Sequence, residues 1–593
     1  MAVPKQSHIL KFSLFEVDLK AGELRKSGML QKLAGQPFQV LRVLLEHAQE
    51  IVTHEELQKS IWPKDTFVDY DLALRKAISR LRDVLGDSSE NPRFIETVPR
   101  RGYRFIGPVE EIANLARTPA VPTAAVAIDS IVVLPFTNLS TDPEDEFFAD
   151  GITEEIINAL AQIEQLHVVA RSSAFSFKGK HIDPRIVGEQ LSVRTVLEGS
   201  IRQSGNRLRI TVQLVNAADG YHLWSERYDR EMKDIFDIQD EIARSITDRL
   251  KVTLERGGHE PLVKPRTQNL EAYLFYLRGR ALLYRRGAAI VRAAERFERA
   301  VALDSGYALA WAGLADSNTV LAYWGLARPE ATMPKALEAA RRAIALDPAL
   351  AEAHGALAMA CLMGVWDKPE AEREFLRALE LNPKYIQARD WFALFYLQFA
   401  AGRFEEGAVQ ARLGVESDPL SGYANSVLGL TLTLARECTE GLQFSQSAVE
   451  LDPESFLTRW IHHVVLHLCG RFEEAVAVGA EALAMSGRHP WAMYTLATAF
   501  ADWGKPADAA ALYSELMARA RRGYVQPTCL ALAAAAAGLE NEAICYAREG
   551  LRIRDPIMPI VLDGNWPYSA RLLAYPRFCE MLVRRGRSNR LRY

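Results

Sequence analysis

Between about Leu270 and Arg554 a helix-stopping mark recurs at nearly constant spacing. It reads Asp347-Pro348, Asn382-Pro383, Asp418-Pro419, Asp452-Pro453 and His489-Pro490, with intervals of 34 to 37 residues. Proline lacks an amide hydrogen and crowds the preceding turn, so a helix ends at or before the residue ahead of it. Each interval holds two helical patterns, such as Ala353 to Leu362 followed by Pro369 to Leu381. The small Ala371 and Ala378 on either side of Phe375 let helices approach closely. A degenerate earlier unit ends near Asp304, and at least one more follows Pro527. A single hairpin of this size cannot bury its own apolar face, so recurrence at this period confines nearly half of the chain to helical pairs stacked on their neighbours.

With 593 residues and a prior of roughly 150 per domain, three or four units are expected. Hydrophobic residues make up 49% and charged residues 25%, which is ordinary for globular protein. The net charge is only −4, so affinity for nucleic acid has to come from a local basic surface. The six cysteines, Cys361, Cys438, Cys469, Cys529, Cys545 and Cys579, show no pairs at metal-ligand spacing, and a reduced cytoplasm fits them best. The opening MAVPKQSHILKF lacks the apolar core of a signal peptide, and prolines with Asp129 interrupt the apolar run from Thr118 to Phe136. The expectation is a cytoplasmic chain without a membrane span.

Near the N-terminus, residues 9 to 33 alternate phenylalanine and leucine with polar residues around two glycine turns, the pattern of short hairpin strands. Gln36-Pro37 opens a helix with Phe38, Leu41, Leu44 and Leu45 on one face, and Thr53 with Glu56 forms a capping-box signature for a second. In a third, Leu74, Ile78, Leu81 and Leu85 form a buried stripe. At about 100° per residue, Lys76, Ser79 and Arg80 then point away from that stripe, with Arg75 and Arg82 on the flanks. Two short strands follow, Phe94 to Val98 and Tyr103 to Ile106, joined through Pro99-Arg100-Arg101-Gly102. A helix offering cations from one face, with a basic hairpin beside it, has the two parts of a winged helix on DNA. A solvated helix face and an ordinary surface hairpin carry the same charges.

The phrases ISRLRDVLG and ETVPRRGYRF resemble the recognition helix and wing of OmpR/PhoB-type winged-helix domains, and the likeness runs from about Ile9 to Val109. It implies that Arg75, Lys76, Ser79, Arg80, Arg82, Arg100 and Arg101 meet double-stranded DNA. Pro99 replaces the family's usual wing arginine, so that role is placed at the tip only approximately. In the same family the loop between the second and third helices meets RNA polymerase, which implies Lys64, Asp65 and Phe67 as contacts.

After a proline-containing linker, strand and helix patterns alternate from Ile131, and Leu208, Ile210, Val212 and Leu214 alternate with polar residues as the second arm of a hairpin turning at Ser204-Gly205-Asn206. VVLPFTNLS followed by FFADGITEEI resembles TolB-like domains that precede helical repeats in bacterial regulators, and the later repeats resemble tetratricopeptide repeats. The expected fold class is therefore multidomain. It comprises a winged helix-turn-helix over 1–110, a linker over 111–130, a TolB-like α/β domain over 131–255, an all-α tetratricopeptide superhelical solenoid over 270–555, and a C-terminal helical cap or tail over 556–593.

No phosphate loop, dinucleotide fingerprint, zinc-protease motif or nucleophile elbow occurs, and no cofactor or metal is expected. The acidic run Asp142, Glu144, Asp145, Glu146 and Asp150 reads as solvated, and His462, His463 and His467 read as packing or surface groups. No phospho-acceptor receiver pattern precedes the winged helix. The order of domains resembles transcription activators of the CadC/HilA kind. The expectation is a DNA-binding transcription regulator, not an enzyme, whose repeats bind a protein partner or self-associate. The alternative is a scaffold whose winged helix is a docking module.

Overall fold

The computed structural model describes residues 9–584, apart from 62–69, 88–91, 113–128, 141–144, 251–265 and isolated positions between elements. One compact unit comprises residues 1–128 with 185–192, and the other 129–184 with 193–593.

The first unit opens with β1 (Ile9–Phe12), β2 (Phe15–Asp18), β3 (Glu23–Lys26) and β4 (Met29–Gln31), each pairing antiparallel with the next. Helices α1 (Gln36–Glu46), α2 (His54–Ile61) and α3 (Tyr70–Leu85) follow, with β5 (Ile51–Thr53) between the first two. The hairpin of β6 (Ile95–Val98) and β7 (Gly102–Phe105) joins β5 in a three-stranded sheet, and β8 (Glu110–Ile112) returns to pair with β1. Phe12, Phe15, Phe94 and Phe105 pack edge and face between the two sheets, the Phe12 and Phe105 centroids 4.8 Å apart. The capping box forms as the spacing predicts. Thr53 N–H donates to Glu56 Oε2 at 2.8 Å and Glu56 N–H returns to Thr53 Oγ1 at 3.3 Å, so two of the helix's orphan donors are satisfied.

The middle region holds β9 (Asp129–Val133), β10 (Thr137–Asn138), α4 (Asp145–Ala161), β11 (Leu166–Val168) and α5 (Arg171–Phe175), then, after α6 (Pro184–Leu191), nearly all of which is grouped with the first unit, β12 (Thr195–Ser204), β13 (Arg207–Asn216), β14 (His222–Glu231) and α7 (Ile235–Arg249). Its sheet runs β11-β9-β12-β13-β14, with β10 parallel to β12. Leu208, Ile210, Val212 and Leu214 are fully buried, as their alternation requires. β14 is an addition to the expected hairpin. Its inward face is marked only by Trp224 and Tyr228, every fourth residue of a charged stretch.

From α8 (Leu270–Arg285) and α9 (Ala289–Leu303) onward the chain is helical hairpins. Asp304, Asp347, Asn382, Asp418 and Asp452 each stand just past a helix end, whereas His489 caps the start of Pro490–Asp502 by accepting from Trp491 N–H. At three of these stops the side chain accepts from the amide two residues on, at Gly306, Ala349 and Lys384. The carbonyl of the next residue receives a side-chain donor six positions later in each of five repeats. Trp311, His354, Arg389, Asn425 and Arg459 serve Ser305, Pro348, Pro383, Pro419 and Pro453. One backbone group left over at the stop is thus satisfied by four different residue types, which hides the regularity from a sequence comparison.

The middle region packs on these hairpins within the same unit. A Cβ at Gly151 would lie 2.7 Å from Leu277 Cδ1, so α4 and α8 approach as closely as a glycine allows. Buried Glu154 pairs with Arg171 and Arg280 and accepts from Tyr284 Oη at 3.0 Å. Asp418 receives both hydroxyls of Ser172 and Ser173, with Ser173 N–H at 3.0 Å. At the far end, Asn565 reaches back to Phe399 O at 2.9 Å, and Tyr568 meets His467 at 2.7 Å. The cysteines depart from the unpaired expectation, because Cys438 and Cys469 of successive hairpins form a disulfide.

Candidate DNA interface

Leu74, Ala77, Ile78, Leu81 and Leu85 of α3 are buried in the first unit's core, and that registers the helix. Arg75, Lys76, Ser79 and Arg80 consequently stand exposed together. Lys76 and Arg80 are one turn apart, as are Arg75 and Ser79, so three cations and a hydroxyl share one outward strip. The strip can donate to base edges and phosphates in a major groove.

Arg82 is placed otherwise. Its Nη2 donates to Ile95 O at 2.8 Å and to Thr97 Oγ1 at 2.9 Å, so the guanidinium ties α3 to the first wing strand. Beside it, the Asp87 carboxylate accepts from the amides of Arg93, Phe94 and Ile95, at 2.7, 3.3 and 2.8 Å. These two groups set where the wing leaves the helix. The sequence reading missed Asp87 and Thr97; the only signal is an aspartate two residues after Leu85, the last of the apolar stripe.

The wing is closed by Arg101 N–H donating to Val98 O at 3.1 Å, and Arg101 is exposed at the turn. Arg104 is occupied by Glu96 across the hairpin, with Nε to Oε2 at 2.7 Å. Gly102 pairs with Thr53 of β5, and a Cβ there would lie 2.0 Å from Val52 O, so the residue that lets the wing dock on β5 has to be glycine. Arg100 and the Lys64, Asp65 and Phe67 loop lie outside the described residues.

The other sequence candidates resolve into packing. Glu146 and Asp150 both close on Lys178, at 2.7 and 2.6 Å; Asp142 and Glu144 lie outside the described residues. His462 meets Ser445 Oγ at 2.9 Å, His463 meets Ala475 O at 2.7 Å, and His467 lies between Tyr568 and Asp502. Burial pushes His462 and His463 down to about 4, so both are neutral near pH 7. In the second unit the middle region and the hairpins also border a cavity of about 1420 Å³, lined among others by Glu155, Tyr276, Arg280, Asp316 and Tyr385. Burial raises both Glu155 and Asp316 to about 7.

Residues 30–105 match the family described as transcriptional regulatory protein, C terminal, and residues 127–245 match the second domain of HilA/YgeH-like transcriptional regulators. A putative adenylate cyclase 3 of Rhizobium meliloti is 41% identical over 253 residues, 42% of this chain and 43% of that protein. Transcriptional regulator HilA of Salmonella typhimurium is 28% identical over 207 residues, 34% of each chain. The DNA-binding domain of E. coli CadC aligns with 25% identity over 18% of this chain and 99% of that domain, at a TM-score of 0.16. The chain spans less than half the length of these curated relatives. Among the described residues no helix is long and apolar enough to cross a membrane. Over residues 30–105 and 127–245 the chain resembles domains of winged-helix transcriptional regulators of the HilA and CadC kind, and helical hairpins follow them from Leu270 onward.

Proposed function

We propose that the protein is a transcription regulator that reads promoter DNA with the α3 strip, and that Arg101 and Arg100 hold the phosphates beside it. The observation that carries this reading is the joint exposure of Arg75, Lys76, Ser79 and Arg80 on a helix whose opposite face is core. Arg82 acts through position, holding the wing at the angle from which Arg101 reaches the backbone. Contact with RNA polymerase through Lys64, Asp65 and Phe67 belongs to the same proposal, as does a cytoplasmic location, where promoter DNA is reached. The hairpins and the cavity they share with the middle region receive a partner or ligand that sets promoter occupancy.

The test is selection of duplexes from random sequence with the full chain, followed by Arg80→Ala and Arg101→Ala. Bidentate arginine contacts to guanine discriminate by about 1–3 kcal/mol, so Arg80→Ala should relax sequence preference, whereas Arg101→Ala should weaken all duplexes alike and lower the salt dependence. No salt-sensitive binding to any duplex would defeat the reading. A second reading rests on the Rhizobium relative, whose name is that of an enzyme. The regulator reading is preferred because both matched families are domains of regulators. Formation of cyclic AMP from ATP by the purified chain would reverse that preference.

A further inference from the structure

β14 is the last strand in the order of its sheet, so among the described residues one of its edges carries no partner strand. Met232 N–H donates to Asn206 O at 2.9 Å, which fixes the phase of the ladder. Even-numbered residues of β14 direct their backbone groups to β13, and the odd-numbered Ser225, Arg227, Asp229 and Glu231 direct theirs outward. The edge is long and open: Ser225, Glu226, Arg227, Arg230 and Glu231 are all exposed.

Charged side chains on an edge ordinarily keep other strands away. Here their order allows one self-pairing and disfavours its neighbours. Two copies of a strand related by a two-fold axis pair residues of equal parity about a central residue that faces itself. Centring on Glu226, Arg227 or Asp229 sets a charge against its own kind. Centring on Tyr228 sets Arg227 against Asp229 of the second copy and Glu226 against Arg230 of the second copy, each pair occurring twice. Tyr228 itself is buried inward and presents no charge at the axis. Asp229 is already held by Arg207 and Arg209 from β13, at 3.2 Å and 2.7 Å, and is therefore fixed in place to receive Arg227.

We propose that β14 is a self-association surface whose occupant is β14 of a second copy of this chain, paired antiparallel about Tyr228. The inference goes beyond the DNA reading and stands without it. A dimer joined here carries two winged helices and gains affinity for paired half-sites through effective concentration.

The experiment uses the full chain in sedimentation equilibrium, with Glu226→Arg and Arg230→Glu made separately. Each substitution turns two attractive cross-strand pairs into two repulsive ones, and dimerisation should weaken on the order of tenfold or more. The two variants mixed together restore opposite charge at every pair. The position substituted in one copy then faces the position substituted in the other, and the unaltered Arg230 of the first faces the unaltered Glu226 of the second. The mixture should therefore dimerise like the parent, and that rescue also shows that each variant is folded. A monomeric parent, single variants that dimerise as the parent does, or a mixture that remains monomeric would each overturn the proposal. A parent that captures another protein's strand at this edge while itself remaining monomeric overturns it too.

Discussion

Replacing Arg82 by alanine separates two roles that one cation on this helix could have. The structure gives the guanidinium a buried acceptor, Ile95 O at 2.8 Å, and a surface acceptor, Thr97 Oγ1 at 2.9 Å. Ile95 is fully buried, so losing its donor leaves a carbonyl short of a partner, at about 1–3 kcal/mol, while the bond to exposed Thr97 adds little against water. The expected loss for Arg82→Ala is therefore about 2 kcal/mol, and Arg82→Lys, which keeps one charged donor within reach, should recover about half of it. Urea unfolding of the full chain, followed by amide exchange at residues 95–98, reads this out. DNA affinity should fall with the wing's order and the salt dependence should keep its slope, because no phosphate contact is removed. Unchanged stability, within about 0.5 kcal/mol, together with a slope lower by about one, would refute the reasoning and return Arg82 to the DNA.

At Gly102 any side chain meets backbone, Val52 O at 2.0 Å and Thr53 Cα at 2.8 Å, so Gly102→Ala should unpair β5 from β7 and cost more than about 2 kcal/mol in the same unfolding assay. For Asp316, raised to about 7 by burial, the folded state favours the protonated acid. Its contribution is present below the unfolded value near 4 and is lost as pH rises through about 7. The neutral buried His462, His463 and His489, pushed down to about 4, act oppositely as pH falls below 6.5. The difference between Asp316→Asn and the parent isolates the acid: it should be smallest at pH 5 and favour the variant increasingly toward pH 8, and a difference independent of pH would contradict the assignment. Asp418→Ala should leave both serine hydroxyls and Ser173 N–H without their acceptor and cost about 2–4 kcal/mol, seen as faster amide exchange confined to residues 171–176 and the hairpin around 418. Equal exchange would show that Asp418 does not hold these two segments together.

The features legible in the sequence are those written in residue types at fixed spacing. Apolar periodicity in α3 located both its core stripe and its exposed strip, the Thr53 and Glu56 pair gave the start of α2, and the proline stops gave the repeat period. Unread features depend on contacts distant in the chain or on residue types that vary. Arg82 lies on the flank of the stripe, and only the position of Ile95 O decides whether it faces the groove or the wing. β14 escaped because Glu, Arg and Asp occupy both faces of the strand, which removes the period-2 signal except at Trp224 and Tyr228. His489-Pro490 belongs to the same spacing as the other stops yet begins a helix, because proline suits a first helical turn as well as the position after a last one.

The boundary between the middle region and the repeats shows why spacing alone cannot define a domain. Composition changes near Leu270, and a cut after residue 260 would follow from it. Yet α4 lies close against α8 at Gly151, Glu154 takes both Arg171 from its own side and Arg280 from the repeats, and Asp418, a helix stop by sequence, uses its carboxylate on Ser172 and Ser173. Removing the hairpins would take Arg280 from Glu154 and Asp418 from Ser173 and would expose the α4 face that packs on α8, so a truncated chain reports on a damaged middle region as well as on absent repeats. Point substitutions such as Asp418→Ala leave both elements present and change only their junction. They are therefore the perturbation from which a regulatory contribution of the repeats can be read.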